Sequence, residues 1–408
     1  MPRQDILKGI RVVDFSRAYS GPFGAQLLGD LGAEIIKIEV PGIGDFSRNM
    51  NPYLIPGQSY TIQALNRNKK SIALNTNTKL GRQAFHDLVK ISDVVYGNVR
   101  YNALERMGAD YETLKKINPR IILCNISGWG SAGPYAEYPS YDDNLLALSG
   151  ISSLCSPDSE GRPTRSPIAI ADLAGGIFST NGILAALYQR ERTGVGCEVK
   201  MAIVDCCLSL LSVHFQSYFI SGKVPKPSGS HHPIGGISGA FKTRNGLLIL
   251  GPCWLGLGKV IKREDLYTDP RFDTTPKRAT NHIELCSILE QELMKQDTEY
   301  WLEIMHKEDI PVSKLNTIDS VLDDPQVKYN QAIIELEHPD YGKMRAVECP
   351  LHFEGAGQSK HTPPPTLGQD SEEVMRGILH YSDEQIKAIR DEEQSSSEQL
   401  KKRIKSQF

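Results

Sequence analysis

One aspartate stands between a strand-like segment and a predicted helix rich in small residues. Asp172 follows Pro167-Ile168-Ala169-Ile170, and the helix after it runs to Gly194. An aspartate at or next to a helix N-cap binds free N–H groups, a structural role worth about 1 kcal/mol. The same position favours an ionised carboxylate, small neighbours leave space for a substrate, and a carboxylate so held can act as a covalent nucleophile. The local pattern therefore leaves two interpretations of Asp172, a helix cap and a nucleophile.

The turn after the first predicted strand is a second place where chemistry could occur. Tyr19-Ser20-Gly21-Pro22 precedes the first predicted helix, with Ser20 as a candidate N-cap. Its glycines, with Glu39 after the next strand, imitate a dinucleotide-binding turn, but Gly21 and Gly24 do not fit the G-x-G-x-x-G spacing. A structural turn is favoured over an NAD site, and a helix N-terminus that seats another anionic or amide-rich ligand stays open.

Other common catalytic patterns do not occur in the sequence. We find no G-x-S-x-G elbow, no H-E-x-x-H and no C-x-x-C pair, so we predict neither a serine hydrolase nor a metal site. The eight cysteines are scattered, which is typical of a reducing compartment. Arg106, on a predicted helix, is either a solvated residue or a phosphate contact. Ser127-Gly128-Trp129-Gly130 follows a buried strand and forms either a plain turn or a loop over a ligand.

Composition and charge restrict the partners. The 408 residues are 40% hydrophobic and 23% charged, with a net charge of −3, so no broad basic field attracts a nucleic acid. The first residues, MPRQDILKG, contain no apolar signal core, and no run of 18 apolar residues follows. We therefore expect a cytoplasmic protein that binds neither nucleic acid nor membrane.

Alternating strands and helices predict the fold of residues 1–220. The predicted strands cover residues 10–16, 34–40, 71–74, 93–96 and 121–126, and the helices between them cover 23–30, 80–91 and 111–117. Strands joined in this way become parallel through right-handed helical crossovers. The pattern predicts an α/β fold whose large domain is Rossmann-like and doubly wound.

A smaller α+β domain is predicted for residues 221–348. It begins with a linker rich in Gly, Pro and Ser over residues 221–239, and Asn245-Gly246 predicts a hairpin turn. Helices near 279–295 and 298–307 and strands near 312–316, 332–337 and 343–348 follow. We expect residues 349–408, with a helix over 382–392, to complete the large domain, and the polar tail from Gln394 to fray.

Taken together, these segments resemble the family III CoA-transferases, which include formyl-CoA transferase and the bacterial carnitine CoA-transferase. The segments that carry the resemblance are LKGIRVVDFSRAYSGPFGAQLLGDLGAEIIKIEVPGIGDFSR, LNRNKKSIALN, ERMGADYETLKKINPRIILCNISGWGSAGPY, IADLAGGIFSTNGILAALYQRERTGVGCEVKMAIVD and PTLGQDSEEVM. They occur in the family's order over nearly the whole chain. The resemblance implies a homodimer of interlinked chains, with an acyl-CoA and a carboxylic acid as substrates. It implies no cofactor beyond the coenzyme A thioester itself.

The resemblance also assigns roles to residues. The family's catalytic aspartate falls on Asp172, which would form an aspartyl anhydride and then an aspartyl-CoA thioester. The residues that correspond to coenzyme A contacts are Tyr19, Ser20, Leu74, Asn75, Asn98, Val99, Arg106, Tyr141 and Met201. Since Val40 stands where some members have an arginine, we add Lys37 beside Arg106 as a hypothetical phosphate contact. Gly235-Gly236 is the nearest candidate for the family's glycine-rich flap.

The α-methylacyl-CoA racemases share this fold and provide the main competing function. They use a histidine and an aspartate as a proton-transfer pair, and the position of that histidine is Tyr141 here. Because the ordinary pKa of tyrosine is about 10, a tyrosine shuttles protons poorly at neutral pH, which favours a transferase. A nicotinamide oxidoreductase and a coenzyme A-binding protein without catalysis are two further competing functions. Formyl-CoA, oxalate, succinate, carnitine-like and aromatic acids all remain candidate substrates.

Overall fold

The structure, a computed structural model, describes residues 2–50, 57–232 and 237–405, with residues 395–405 described by their backbone alone. The predicted flap glycines Gly235 and Gly236 lie outside the described residues. The strands are β1 (Arg3–Gln4), β2 (Arg11–Asp14), β3 (Glu34–Glu39), β4 (Lys69–Ala73), β5 (Val94–Gly97), β6 (Ile122–Ser127), β7 (Glu198–Ala202), β8 (Gly239–Lys242), β9 (Leu247–Leu250), β10 (Val312–Lys314), β11 (Ile333–His338), β12 (Gly342–Val347) and β13 (Gln358–Ser359).

The α-helices alternate with these strands in the first half of the chain and are grouped less regularly in the second. They are α1 (Ser20–Asp30), α2 (Tyr60–Leu65), α3 (Lys79–Lys90), α4 (Tyr101–Met107), α5 (Tyr111–Ile117), α6 (Asp142–Ser149), α7 (Ile170–Thr193), α8 (Ile203–Leu210), α9 (Ser212–Ser221), α10 (Trp254–Val260), α11 (Thr275–Thr280), α12 (His282–Leu293), α13 (Thr298–Lys307), α14 (Pro325–Tyr329) and α15 (Asp383–Lys405). The tail that was predicted to fray therefore has helical backbone as far as Lys405.

The chain divides into two compact units. The first unit comprises residues 1–151, 166–216 and 329–408, and the second comprises residues 152–165 and 217–328. Residues 329–348, which the sequence pattern grouped with the small domain, belong to the first unit. One contact that holds them there is the hydrogen bond from Arg67 Nη1 to the carbonyl oxygen of Val347, at 2.7 Å.

The first unit is built on a parallel six-stranded sheet in the order β4-β3-β2-β5-β6-β7. The prediction of a doubly wound α/β arrangement is thus confirmed. Its central strands are apolar on both faces, with Val12, Val13, Val94 and Val95 fully buried, as expected for a sheet covered by helices on both sides. The strand order reverses between β2 and β5, and ligands bind at the carboxyl ends of strands at such a switch point.

Helix α7 crosses α1 closely, and this explains its small residues. A Cβ atom on Gly176 would lie 2.8 Å from the carbonyl oxygen of Ser20, and one on Gly24 would lie 2.9 Å from the carbonyl oxygen of Gly176. The small residues therefore allow helix packing, and the expectation that they leave space for a substrate is wrong. The strand predicted over residues 167–170 is also absent, since α7 begins at Ile170.

Length and composition alone would allow α7 to cross a membrane. However, half of its apolar stretch is buried, and the helix packs against α1, α8 and the sheet. A helix in the core of a folded domain can have the same length and apolar composition. These two properties of α7 are therefore weak evidence for a membrane span. Its last turn carries Arg190, whose side chain is buried and paired with Asp93 at 2.9 Å.

The second unit contains a three-stranded antiparallel sheet in the order β10-β9-β8. Strands β8 and β9 pair with Lys242 opposite Leu247, which confirms the hairpin predicted at Asn245-Gly246. The helices predicted near 279–295 and 298–307 are present as α12 and α13. The core of this unit includes Phe241, Phe272 and Trp301.

Candidate active site

A cavity of about 330 Å³ in the first unit is lined by the loops that follow β2, β5 and β6 and by the start of α7. This is the switch point of the sheet, where a ligand is expected. The structure brings five of the predicted site residues to this cavity, namely Ser20, Asn98, Val99, Tyr141 and Asp172. Residues from segments far apart in sequence therefore meet at one place.

The first turn of α7 is capped by a residue from another helix. Asp142, in the first turn of α6, accepts hydrogen bonds through Oδ1 from the backbone N–H groups of Ala171, at 2.8 Å, and Asp172, at 3.2 Å. The N-cap residue of α7 itself, Ala169, has no side-chain cap. The interpretation of Asp172 as the helix cap is therefore wrong, because Asp142 has that role and leaves the Asp172 carboxylate at the cavity.

The environment of Asp172 raises the pKa of its carboxyl group towards neutral pH. Burial, and then the nearby carboxylate of Asp142, raise the pKa of Asp172 to about 6, while a hydrogen bond with the Ser20 side chain lowers it. A carboxylate with this pKa is still mostly ionised at pH 7. It is also more basic than an exposed aspartate, and such shifted groups are typical of functional sites.

Asn98 connects the loop after β5 to the turn before α1. Its Oδ1 accepts a hydrogen bond from the backbone N–H of Arg17 at 2.8 Å, and its Nδ2 donates to the Arg17 carbonyl oxygen at 2.7 Å. The same Nδ2 donates to Ser20 Oγ at 3.3 Å, so the Ser20 hydroxyl hydrogen is available to Asp172. Asn98 thereby fixes both the backbone of Arg17 and the direction of the Ser20 hydroxyl.

A buried ion pair stabilises the turn that precedes α1. Lys37 Nζ donates to the carbonyl oxygen of Ser16 at 2.7 Å and pairs with Asp45 Oδ2 at 3.2 Å. Asp45 Oδ1 in turn accepts from the backbone N–H of Ala18, at 3.2 Å, and Ala18 has the left-handed φ of 64°, which costs a non-glycine residue energy. The turn therefore depends on the Lys37–Asp45 pair.

This placement contradicts the predicted role of Lys37 as a phosphate contact. The Lys37 side chain is fully buried, and its ammonium group is already bonded to Ser16 and Asp45. Although burial lowers its pKa, the surrounding carboxylates, Asp45 first, raise the pKa of Lys37 above the ordinary value. The residue is a buried cation that supports the turn and does not line the cavity.

The other residues predicted from the resemblance lie away from this cavity. Leu74 is buried in the core behind β4, and the backbone N–H of Asn75 donates to Glu393 Oε1 at 2.9 Å. Arg106 is exposed on α4, and Met201, in β7, lines a neighbouring cavity. Tyr19 is half-buried before α1, with its hydroxyl 3.4 Å from Thr61 Oγ1.

Sequence reasoning missed three residues of the site: Asp142, Arg17 and Arg100. Arg17 and Arg100 line the cavity, and each follows a central strand at the switch point, β2 and β5 respectively. That position was the available signal, because polar residues after such strands face the ligand crevice. Asp142 gave no local signal, since its contact with α7 joins residues 29 positions apart.

Within the described part of the chain, no group of three or more His, Cys, Asp or Glu side chains is arranged to hold a metal ion. None of the eight cysteines, all of which lie in the described part of the chain, forms a disulfide. Among the described residues that line the cavity there is no histidine, and Tyr141 lines it with 68% of its surface exposed. Among these lining residues, Asp172 carries the only carboxyl group.

Known proteins resemble this chain in both sequence and structure. The sequence model of CoA-transferase family III matches residues 7–371. The chain is similar to the succinyl-CoA:glutarate CoA-transferase of Mus musculus, with 33% identity over 94% of this chain and 88% of that protein. It is also similar to the acetyl-CoA:oxalate CoA-transferase of Acetobacter aceti, with 36% identity over 80% and 85%. The crystal structure of a CAIB/BAIF family protein from Brucella suis resembles it with a TM-score of 0.81 and 32% identity, over 92% of this chain and 100% of that one.

Proposed function

We propose, from the premise that this chain belongs to CoA-transferase family III, that it moves coenzyme A from an acyl-CoA donor to a free carboxylic acid with Asp172 as the covalent nucleophile. The observation that carries the proposal is that Asp142 and Asp172 have different positions at the start of α7. Asp142 binds the N–H groups of the first turn of α7, and Asp172 presents its carboxylate to the cavity. Its pKa of about 6 leaves it ionised and nucleophilic at neutral pH.

The proposed reaction has four steps, all at the Asp172 carboxylate. An oxygen of Asp172 attacks the donor thioester carbonyl, the C–S bond breaks, and a mixed anhydride and the coenzyme A thiolate result. The thiolate attacks the aspartyl carbonyl, which releases the donor acid and leaves an aspartyl-CoA thioester. The acceptor carboxylate then displaces the thiolate to form a second anhydride. Attack of the thiolate on the acceptor acyl carbon gives the new acyl-CoA and regenerates Asp172. No water is consumed, and dividing the exchange in this way lowers each barrier.

The covalent steps can be tested directly. The enzyme is incubated with an acyl-CoA, treated with hydroxylamine, digested, and the peptide that contains Asp172 is weighed by mass spectrometry. We expect the hydroxamate of Asp172 together with loss of activity. An unmodified Asp172 peptide in an enzyme that still transfers coenzyme A would contradict the covalent mechanism. The same treatment of an Asp172→Asn variant is the control for labelling at other carboxylates.

A racemase can be distinguished from a transferase by isotope exchange. A racemase of this fold needs a proton shuttle at the position of Tyr141, and the described residues that line the cavity include no histidine. We therefore expect no deuterium at the α-carbon of a 2-methylacyl-CoA after incubation in D₂O. Wash-in of deuterium without coenzyme A transfer would support the racemase.

A second copy of this chain is the partner that we propose, in the interlinked homodimer that the family resemblance implies. Helix α9 supports this because none of its residues is buried and Phe219 and Ile220 are 70% and 78% exposed. Apolar side chains exposed in this way mark interaction surfaces. Light scattering on a sizing column should give twice the mass of one chain, and a monomer at micromolar concentration would contradict the dimer.

We also propose that the enzyme works in the cytoplasm. The observation that supports this is that none of the eight cysteines, all of them described, forms a disulfide, since thiols at this density persist in a reducing compartment. Fractionation of the source cells, followed by an assay of transferase activity in the soluble and membrane fractions, tests the location. Activity confined to the membrane fraction would contradict it.

A further inference from the structure

Two guanidinium groups line the cavity of Asp172 without a partner of their own. Arg17 follows β2, Arg100 follows β5, and both side chains are exposed at the cavity. Among the described residues, neither guanidinium group makes a hydrogen bond or an ion pair, although the backbone of Arg17 is bonded to Asn98. Several exposed arginines elsewhere in this chain, such as Arg244 and Arg271, are paired with carboxylates. The two cavity arginines are thus free to bind an anion.

The backbone of Arg17 is held by Asn98, although the residue is exposed. Asn98 bonds both its N–H and its carbonyl oxygen, at 2.8 and 2.7 Å, and also bonds Ser20, the partner of Asp172. The Asn98 side chain therefore positions the backbone of Arg17 and the Ser20 hydroxyl that contacts Asp172. A guanidinium group presents donors in a planar fork that matches a carboxylate.

We propose that Arg17, with Arg100, binds a second carboxylate on the acyl group or acid, so that this enzyme prefers dicarboxylic acids. The inference rests on the proposed function, because it concerns which acid reaches Asp172. One carboxylate of the substrate reacts at Asp172, and the other stays ionised and needs a cation in the same cavity. A monocarboxylic acid of equal length leaves that cation without its partner.

The phosphates of coenzyme A are the other anions that these arginines could bind. Arg17 and Arg100 line the same cavity, of about 330 Å³, as Asp172, the carboxylate at which the acyl carbon reacts. Arginines that share this cavity with Asp172 therefore lie nearest to the acyl end of the substrate. A phosphate contact would affect every acyl-CoA alike, and a carboxylate contact affects only substrates with a second carboxylate.

The experiment compares glutarate with pentanoate as acceptors from one donor, acetyl-CoA. For the wild-type enzyme we expect kcat/KM to be higher for glutarate by at least about tenfold, the usual worth of a hydrogen bond to a charged group. Arg17→Gln should lower kcat/KM for glutarate and so bring the ratio of the two acids close to one. The kcat/KM for pentanoate and the KM for acetyl-CoA should change little. Arg17→Lys should retain part of the ratio, because it keeps the charge and loses the fork. Arg100→Gln should change the ratio in the same direction as Arg17→Gln.

Arg106→Gln is the matched control, since Arg106 is an exposed arginine on the helix just after Arg100 and does not line the cavity. It should leave the ratio of the two acids unchanged. Equal loss for both acids in Arg17→Gln, or a raised KM for acetyl-CoA with an unchanged ratio, would assign Arg17 to coenzyme A and overturn the proposal. A wild-type ratio near one, with transfer to both acids, would overturn it while the proposed function stands. Absence of transfer to any acid would instead reject the proposed function.

Discussion

Asp142 caps the helix turn that carries Asp172. Oδ1 of Asp142 accepts hydrogen bonds from the backbone N–H groups of Ala171, at 2.8 Å, and of Asp172 itself, at 3.2 Å. The charge of Asp142 therefore lies next to Asp172, and after burial it is the second cause that raises the pKa of Asp172. One carboxylate orients the helix start, and the other is left with higher basicity.

Removing the charge of Asp142 while keeping an acceptor should change the titration of Asp172. In Asp142→Asn the side-chain oxygen can still accept from the start of α7, so we expect a small change in stability. The pKa of Asp172 should fall below about 6 because the like charge is gone. The acidic limb of a pH profile of kcat/KM should then move to lower pH, and an unmoved limb would contradict this coupling. Asp142→Ala, which also removes the cap, should cost about 1 kcal/mol of unfolding free energy.

Wild-type activity should depend on the ionised form of Asp172. With a pKa of about 6, kcat/KM should be nearly constant above pH 7 and should fall roughly tenfold per pH unit well below pH 6. The measurement is the initial rate of coenzyme A transfer from pH 4.5 to 8, with circular dichroism at each pH to exclude unfolding. A profile that stays flat to pH 5 would mean that this carboxylate does not limit the reaction.

Asp172→Asn should abolish transfer and at the same time stabilise the fold at neutral pH. The folded protein holds a proton on Asp172 up to about pH 6, whereas an aspartate in the unfolded chain loses it near pH 4. The folded state therefore binds more protons between these values, and its stability falls as the pH rises through them. The variant lacks this loss. Its free energy of unfolding should therefore exceed that of the wild type by about 1–3 kcal/mol at pH 7 and by little at pH 4.

Urea unfolding at both pH values measures this gain. The conservative variant Asp172→Glu separates charge from position, since it keeps the carboxylate but moves it by about one bond length. Its free energy of unfolding should still fall as the pH rises from 4 to 7, and its rate of coenzyme A transfer should be much lower than that of the wild type. Equal stability of Asp172→Asn and wild type at pH 7 would contradict the burial of an ionised Asp172.

Lys37 should stabilise the fold through its ion pair with Asp45. Lys37→Met leaves the buried Asp45 carboxylate without its ammonium partner at 3.2 Å, and breaking such a pair costs about 3–5 kcal/mol. Adding Asp45→Asn removes the unpaired charge, so the double variant should recover much of that stability. Thermal unfolding of the two single variants and the double variant gives the coupling energy, and additive losses would contradict the pairing. Lys70→Met, at a half-exposed pair with Glu34, is the control and should cost about 1 kcal/mol or less.

Much of this protein was predictable from local sequence. Runs of buried apolar residues such as Val12-Val13 and Val94-Val95, separated by helical segments, indicate parallel strands because both faces of such a sheet are covered. Asn245-Gly246 indicates a hairpin because its backbone favours that turn. The ordered family segments led to the prediction of Asp172 as the nucleophile, a choice that its local pattern alone left open.

The partners of these residues depended on the tertiary structure. The sequence determined that Asp172 is placed near a helix start, and only the fold decided that Asp142, from another helix, caps that start and changes the pKa of Asp172. Likewise Lys37 carries a charge in any conformation, but its burial beside Asp45 made it a support and not a ligand contact. Strand and turn preferences act between neighbours in sequence, whereas burial and charge pairing act through space between residues that the folded chain brings together.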